Sequence, residues 1–550
     1  MSRIAEPATG SAGAPAPAAP AKPGFAAQVR SYPRTFWVAN TMEIFERMAW
    51  YGIYTLVGLY LTDSVAHGGL GLREEQAGTI VGIVTFLLYL MPVVTGALAD
   101  RYGYKKMFVL AYAVMTPAYF TLGLYDSYNG FLFGYLMVAI GAAIFKPVVL
   151  GTVARTTVES NSQLGFGLFY MMVNVGGFLG PLVAGIVRHP DPATGSSAWR
   201  NIFTASAVWI GLNFLWVLLF FKEPTTEAGS ATARTARKVL SDAVEVLGNV
   251  RFFLCAFVIL VLFFAAGKQW VTWRQAGVLS AGWLGLNLAY DAGLRLAGRA
   301  RGGAGALLAP MRVSNWRFAV YLLILSGFWT VFNQMVGATL VWYVRDFVQT
   351  RPLMDAAAGF LRAFGADGAA QRVVNYAAAG GQVNPEWISN LDPFCIVLLQ
   401  IVVSLVVARI GRFAGMIAGL VVTGLGTGLP FLLGHGQPGI LVASGWLTVV
   451  AVCVFAIGEM MASPTSQEYI GRIAPGDQVA LYMGYYFVAV ALGNLFGGVL
   501  SGTLYGSLAR DRGRPDLMWL VFAVLSFATA LALGIYNRYA VQRVQASRAA

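Results

Sequence analysis

Charge is scarce in this chain, and so are the side chains that build metal and redox chemistry. Only 11% of its 550 residues are Asp, Glu, Lys or Arg, less than half the roughly 25% of a soluble domain. That poverty excludes a water-soluble globular protein, because 57% of the residues are hydrophobic and lipid must cover much of the surface. Cys255, Cys395 and Cys453 each lie inside an apolar run, with neither metal-ligand spacing nor a disulfide framework. His67, His189 and His435 all fall in predicted loops, which argues against histidine catalysis and against a metal centre. No P-loop occurs, and no G-x-G-x-x-G follows a strand, so no nucleotide or flavin cofactor is expected.

Acidic residues are outnumbered 25 to 38, for a net charge of +13. Such a balance invites a nucleic-acid reading, but the cations stand at the ends of apolar segments. Arg30, Arg34, Arg101, Lys105, Lys106, Arg155, Lys222, Arg409, Arg412, Arg472 and Arg538 share one side if the N-terminus is cytoplasmic. The other side mixes signs, as in Asp63, Arg73, Glu74, Arg345 and Asp346. This is the positive-inside bias of a polytopic membrane protein. Lipid is the expected partner and nucleic acid is not. Both termini are expected in the cytoplasm, with the chain in the inner (plasma) membrane.

Apolar runs are what the chain has in abundance. A spanning helix needs about 20 apolar residues. Candidates fall at 36–61, 76–99, 106–125, 130–153, 165–187 and 201–221. Two more lie at 252–273 and 277–297, and six at 316–344, 388–409, 413–433, 438–462, 479–505 and 516–537. The fold class is therefore all-α, with two six-helix halves (29–222 and 313–540) and a basic linker at 223–312 carrying two inserted helices. Residues 1–28 read as a disordered cytoplasmic tail without a signal-peptide core, and 541–550 as a C-terminal tail. Residues 345–387 read as an extracytoplasmic loop with an amphipathic helix around Met354 to Phe364. Two six-helix halves with a site between them at mid-membrane is the layout of the major facilitator fold.

Charges inside spans are expensive and mark function by default. Glu43, Glu46 and Arg47 lie in the first span, Lys146 in the fourth and Glu459 in the tenth. Glu43 and Arg47 stand at i,i+4, the orientation that best supports an ion pair. Two carboxylates sharing one cation form either a helix-packing pair or a proton-sensitive cluster, and Lys146 offers a second cation. Glu459 has no cation within its own turn and suits the ammonium of a substrate. Pro147 and Pro464 are expected to break the helix ladder beside these charges and free carbonyls. In the run GALADRYGYKK, Asp100, Arg101 and Lys105 are candidates for clamping cytoplasmic helix ends. Among the aromatics, Tyr51, Tyr170 and Trp329 are expected to line the site.

These residues also carry a family likeness. EIFERMAWYG resembles the E-x-x-E-R-F-x-Y-Y-G signature of proton-coupled oligopeptide transporters, a branch of the major facilitator superfamily. GALADRYGYKK resembles the superfamily's loop motif, with Tyr104 where a basic residue is usual. IFKPVV, FYMMVNVGG, FWTVFNQ, NPEWISNLDPFCIVLL and GEMMASPTSQEYIGRIAP resemble further elements of that branch, in its order along the chain. The resemblance implies symport of di- and tripeptides by alternating access, powered by a proton gradient without a cofactor. It implies that Glu43, Glu46 and Arg47 couple protons, assisted by Lys146, which also helps hold the substrate carboxylate. Asn174 and Glu459 would receive the peptide amine. A functional monomer is expected.

Departures from the pattern bear on the substrate. Tyr54 stands where peptide-carrying members keep an Arg, Asn333 replaces an acid in the seventh span, and Asp392 replaces an Asn. A carrier of amino acids, nitrate-like anions or drugs is the alternative; a transport-dead sensor and an integral-membrane enzyme are more remote.

Overall fold

In hydrocarbon, backbone N–H and C=O groups find partners only within helices or closed barrels, and each of the expected spans contains helix. The structure, a computed structural model, describes residues 24–72, 74–188, 198–224, 246–267, 270–296, 309–336, 338–375, 381–383, 385–433, 443–476 and 478–542. Spans 1 to 6 are Arg34–Tyr54 (continued by Val57–Thr62), Glu74–Leu90 with Pro92–Tyr102, Tyr104–Leu122, Tyr128–Arg155, Ser162–Arg188 and Trp199–Leu219. Two inserted helices follow, Val250–Gly267 and Trp273–Leu296. Spans 7 to 12 are Trp316–Val336 with Ala338–Phe347, Leu391–Ile410, Arg412–Gly428, Gly445–Ile473, Val479–Leu504 and Pro515–Tyr536.

Among the described residues, nine helices are long and apolar enough to cross a membrane, or ten with the pair Val84–Leu90 and Pro92–Tyr102, which bends by 42°. Span 1 is absent from that set because Arg34, Glu43, Glu46 and Arg47 dilute its apolarity. Of the inserted pair, the first has an apolar stretch of only Val250–Phe263, and the second carries Arg274, Asp291 and Arg295. The expectation of about fourteen spans is thus met in helices but not in apolarity.

Span 1 packs on spans 5 and 6, and span 3 on spans 4 and 6; span 9 packs on spans 10 and 12, and span 7 on spans 11 and 12. The halves meet along spans 2 and 11, 5 and 8, and 5 and 10. Close approach explains two glycines at this seam. A Cβ on Gly96 would lie 2.3 Å from the Ala480 carbonyl oxygen, and one on Gly484 would lie 2.2 Å from that of Pro92. The inserted hairpin is tied to the chain before span 7 by a buried polar knot. Arg251 donates to Asp291 at 2.5 Å and to Asn287, while Asp291 also accepts from the Met311 N–H at 3.1 Å.

Three boundaries differ from expectation. Helix Phe25–Ser31 begins within the stretch read as a disordered tail. It is pinned where Asn161 donates to the Ser31 hydroxyl at 2.8 Å and Tyr32 donates to the Asn161 carbonyl at 2.8 Å. The rest of that tail, linker residues 225–245, 268–269 and 297–308, and residues 543–550 lie outside the described residues, as do His189 and His435. Span 10 runs eleven residues past its expected end at 462, to Ile473. Its polar run Ser463, Thr465, Ser466, Gln467 and Glu468 is buried: Thr465 and Glu468 are met by Gln163 and Ser162 of the other half, and Gln467 by Tyr486 of span 11. Third, spans 4 and 10 stay helical through Pro147 and Pro464. The carbonyls that these prolines leave free are used instead: Thr95 donates to Ala143 at 2.6 Å, and Gln400 to Met460 at 3.3 Å. The loop after span 7 does contain an amphipathic helix, Arg351–Ala363.

Candidate functional site

Span 1 builds the first cluster. Arg47 Nε lies 3.1 Å from Glu43 Oε1 and donates to Glu46 Oε2 at 2.5 Å, so one guanidinium serves both carboxylates. All three side chains are buried. The i,i+4 spacing stacks Glu43 under Arg47, whereas Glu46, adjacent in sequence, is reached because the long arginine folds back on it. Glu43 Oε2 and Glu46 Oε1 are left buried without a hydrogen-bond donor among the described residues.

Lys146 of span 4 sits at the seam. Its ammonium lies 5.3 Å from the ring of Tyr89 in span 2 and 5.6 Å from that of Phe487 in span 11, a cation–π arrangement. It is 5% exposed and makes no ion pair among the described residues. Arg47, Glu46 and Glu43 are close enough for their charges to act on it.

Glu459 of span 10 is less isolated than its sequence context suggests. The Tyr170 hydroxyl of span 5 donates to Glu459 Oε1 across the seam between the halves. Asp392, in the first turn of span 8, lies within electrostatic reach of the same carboxyl. Tyr51 links the clusters, lying within electrostatic reach of Arg47, Tyr54, Glu459 and Glu46. The site therefore draws on spans 1, 2, 4, 5, 8 and 10.

The other candidates divide. Tyr54 stacks on Trp50 at 5.4 Å and is 39% exposed. Trp329 is buried edge-on to Tyr486 at 6.1 Å, its indole N–H unpartnered among the described residues. Asn174 donates to the Tyr170 carbonyl at 3.0 Å, one helical turn below the hydroxyl that holds Glu459. Asn333 is turned away, donating to Asn494 at 2.9 Å and packing against Gly497. A small void lined by Tyr321, Met416, Leu420 and Thr529 lies within the C-terminal half and involves none of these charges.

The clamp differs from its sequence reading. Asp100 accepts from the Ala480 and Leu481 N–H groups at 3.2 and 2.9 Å, at the start of span 11 in the other half. Its cation is Arg155, at 2.9 Å, with Tyr104 donating a further bond at 3.0 Å. Arg101 lies over Tyr102 instead, and Lys105 donates to the Leu218 carbonyl at 3.2 Å. More contacts accompany this latch: Arg412 bridges Glu159 and Glu468, Ser162 donates to Glu468 at 2.5 Å, and Arg472 donates to Thr157 at 2.9 Å. Sequence reasoning took Arg155 only as topology and did not single out Glu159 or Glu468, whose partner Arg412 is far away in sequence. Among the described residues, the polar contacts between halves lie either at Tyr170–Glu459 or toward the face that carries the chain ends. That face is closed and the opposite one is not similarly tied.

A family model described as Major Facilitator Superfamily matches residues 41–378 and 384–550. The chain belongs to the major facilitator superfamily. Its relatives within it include the peptide transporter YePEPT of Yersinia enterocolitica, 23% identical over 90% of this chain and 91% of that one. Another is the dipeptide and tripeptide permease A of Escherichia coli, 21% identical over 91% and 90%. Among solved structures, a POT family transporter in complex with 5-aminolevulinic acid superposes with TM-score 0.59 at 18% identity, over 94% of this chain and 100% of that one. The human organic anion transporter superposes with TM-score 0.55 at 14% identity, over 91% and 99%. The fold and the likeness to the peptide-transporter branch thus agree with the motifs. As a major facilitator the chain is a carrier and not an enzyme.

Proposed function

We propose that this protein is a proton-coupled symporter that imports short peptides by alternating access, with both termini in the cytoplasm of the cell that bears it. The carrying observation is that Glu43, Glu46 and Arg47 are buried together in span 1, while Lys146 and Glu459 are buried where the halves meet, against Phe487 and Tyr170. A packing pair would need one carboxylate for its arginine; here two share it, each keeping an oxygen unpartnered among the described residues. A proton on one of them removes a buried charge that the single guanidinium cannot fully offset. In the outward-facing arrangement the cluster takes up that proton. Glu459 and Asn174 receive the peptide amine, while Lys146 meets its carboxylate. Opening of the latched face then releases both ligands toward a more alkaline interior. One charge crossing 100 mV gains about 2.3 kcal/mol, which supports accumulation of roughly fortyfold at 1.4 kcal/mol per decade.

The peptide reading draws support from the relatives' names and from the motifs. A second reading, a carrier of another small solute, is favoured by Tyr54 and Asn333, which remove one cation and one acid from the pattern. Uptake into proteoliposomes with an imposed proton gradient separates them. Accumulation of dialanine that collapses with the gradient is expected. If dialanine neither accumulates nor dissipates the gradient, the peptide reading fails.

A further inference from the structure

The loop between spans 4 and 5 carries much of the grip between the halves. Thr157 accepts from Arg472 at 2.9 Å, Glu159 pairs with Arg412, and Ser162, at the start of span 5, donates to Glu468 at 2.5 Å. One buried residue fixes the shape of this loop. Asn161 Oδ1 accepts from the Val158 N–H at 2.9 Å, and the Asn161 N–H donates back to the Val158 carbonyl at 3.1 Å. The other groups of Asn161 reach the N-terminal end of the chain: its Nδ2 donates to the Ser31 hydroxyl, and its carbonyl accepts from Tyr32. Ser31 in turn donates to the Gln28 carbonyl at 2.6 Å, so one hydroxyl joins the loop to helix Phe25–Ser31. Tyr32 is buried and stacks on Phe36 of span 1 at 4.3 Å. Its ring also presses on span 5, 3.3 Å from where a Cβ on Gly165 would lie. Among the described residues, neither Ser31 nor Tyr32 makes a polar contact with the other half.

We propose that helix Phe25–Ser31 braces this loop in the shape that grips the C-terminal half, with Ser31, Tyr32 and Asn161 as positioning residues. The brace acts through order and not through attraction across the seam. A loop already held by its own half loses little freedom when it meets Arg412, Glu468 and Arg472. Without the brace the same contacts form only as the loop is ordered. Each backbone residue that must be fixed at closure then lowers the closed-to-open ratio about tenfold. The bonds of Asp100 to the start of span 11 do not pass through this loop and are left intact. A segment that lies outside the solute path thus sets how readily the closed face opens. The brace rests on the alternating-access reading and is indifferent to which solute is carried.

Pulsed distance measurements on the full-length protein test the brace, with spin labels at Tyr102→Cys and Ile473→Cys and the native cysteines replaced by serine. The double variant Ser31→Ala/Tyr32→Phe cuts both ties and leaves Asn161 and its turn in place. Its long-distance population is expected to rise about tenfold relative to the closed one, and amide hydrogen exchange at 157–161 to quicken. Thr35→Val removes a nearby bond to the Lys222 carbonyl, 3.1 Å long, that does not involve the loop, and is expected to shift neither reading. Distances unchanged in the double variant at an unchanged melting temperature overturn the brace, whether or not exchange quickens. Where the double variant melts early, Ser31→Ala alone is read in the same way. Asp100→Asn, carrying the same labels, separates the failures. A shift there with none in the double variant overturns the brace and keeps alternating access; no shift in either overturns the brace together with the latch.

Discussion

Neutralising Asp100 should loosen the closed face by a measurable amount. In Asp100→Asn the carboxylate that accepts from the Ala480 and Leu481 N–H groups loses its charge but keeps one acceptor oxygen. Hydrogen bonds to charged groups contribute about 1.5–3 kcal/mol each, and neutral ones about 0.5–1.5. The two cross-half bonds together therefore weaken by about 2 kcal/mol, or roughly thirtyfold in the closed-to-open ratio. Arg155 stays in place over Tyr104 at 4.3 Å, and still donates to the Gly476 carbonyl at 3.2 Å, so the loss is confined to the latch. Spin labels at Tyr102→Cys and Ile473→Cys, both exposed at the ends of spans 2 and 10, read the separation of the halves once the three native cysteines are replaced by serine. Pulsed distance measurements should show a new long-distance population in Asp100→Asn. Asp63→Asn should show none, since Asp63 bonds only within its own half among the described residues. A distribution unchanged by Asp100→Asn, at an unchanged melting temperature, would refute the latch.

Gly96→Val should shift the same distances further, because its Cβ already falls 2.3 Å from a backbone oxygen; retained closure would mean the seam is softer than drawn. Glu46→Gln should abolish proton-driven accumulation while leaving counterflow exchange, and equal loss of both would mark the cluster as structural. Glu459→Gln should weaken free-amine peptides at least tenfold more than N-acetylated ones in competition for uptake; an unchanged preference removes Glu459 from the amine site. Arg251→Leu strands Asp291 in a buried site, which costs about 3–5 kcal/mol. Protease sensitivity should therefore rise within the inserted hairpin before it rises elsewhere.

Periodicity and local spacing were enough to find the helices and the first cluster. Glu43 and Arg47 pair in the structure as i,i+4 neighbours do, and the apolar runs match their spans to within a few residues at most ends. What stayed hidden depends on partners far apart in sequence. Asp392 and Glu459 stand on different helices, so Asp392 read only as a departure from a motif, and Glu459 read as alone. Arg155 looked like a positive-inside marker because nothing near it in sequence indicates Asp100, which it meets through the packing of span 4 on span 2.

The misread end of span 10 and the latch have one physical origin. Polar residues in a helix read as solvent-exposed because water is their usual partner. At a seam that must both seal and reopen, they are instead satisfied by the opposite half. Ser162 serves Glu468, Gln163 donates to Thr465 at 3.0 Å, and Asp100 caps the start of span 11. A purely apolar seam would gain from staying shut, since opening it exposes greasy surface to water. A polar seam loses hydrogen bonds on opening but regains them from water, so the net cost per bond is small. Thr465 and Glu468 of span 10 thus mark a surface built to alternate between protein and solvent. The same argument places Gly96 and Gly484 there, where backbones must meet without side chains that would resist parting.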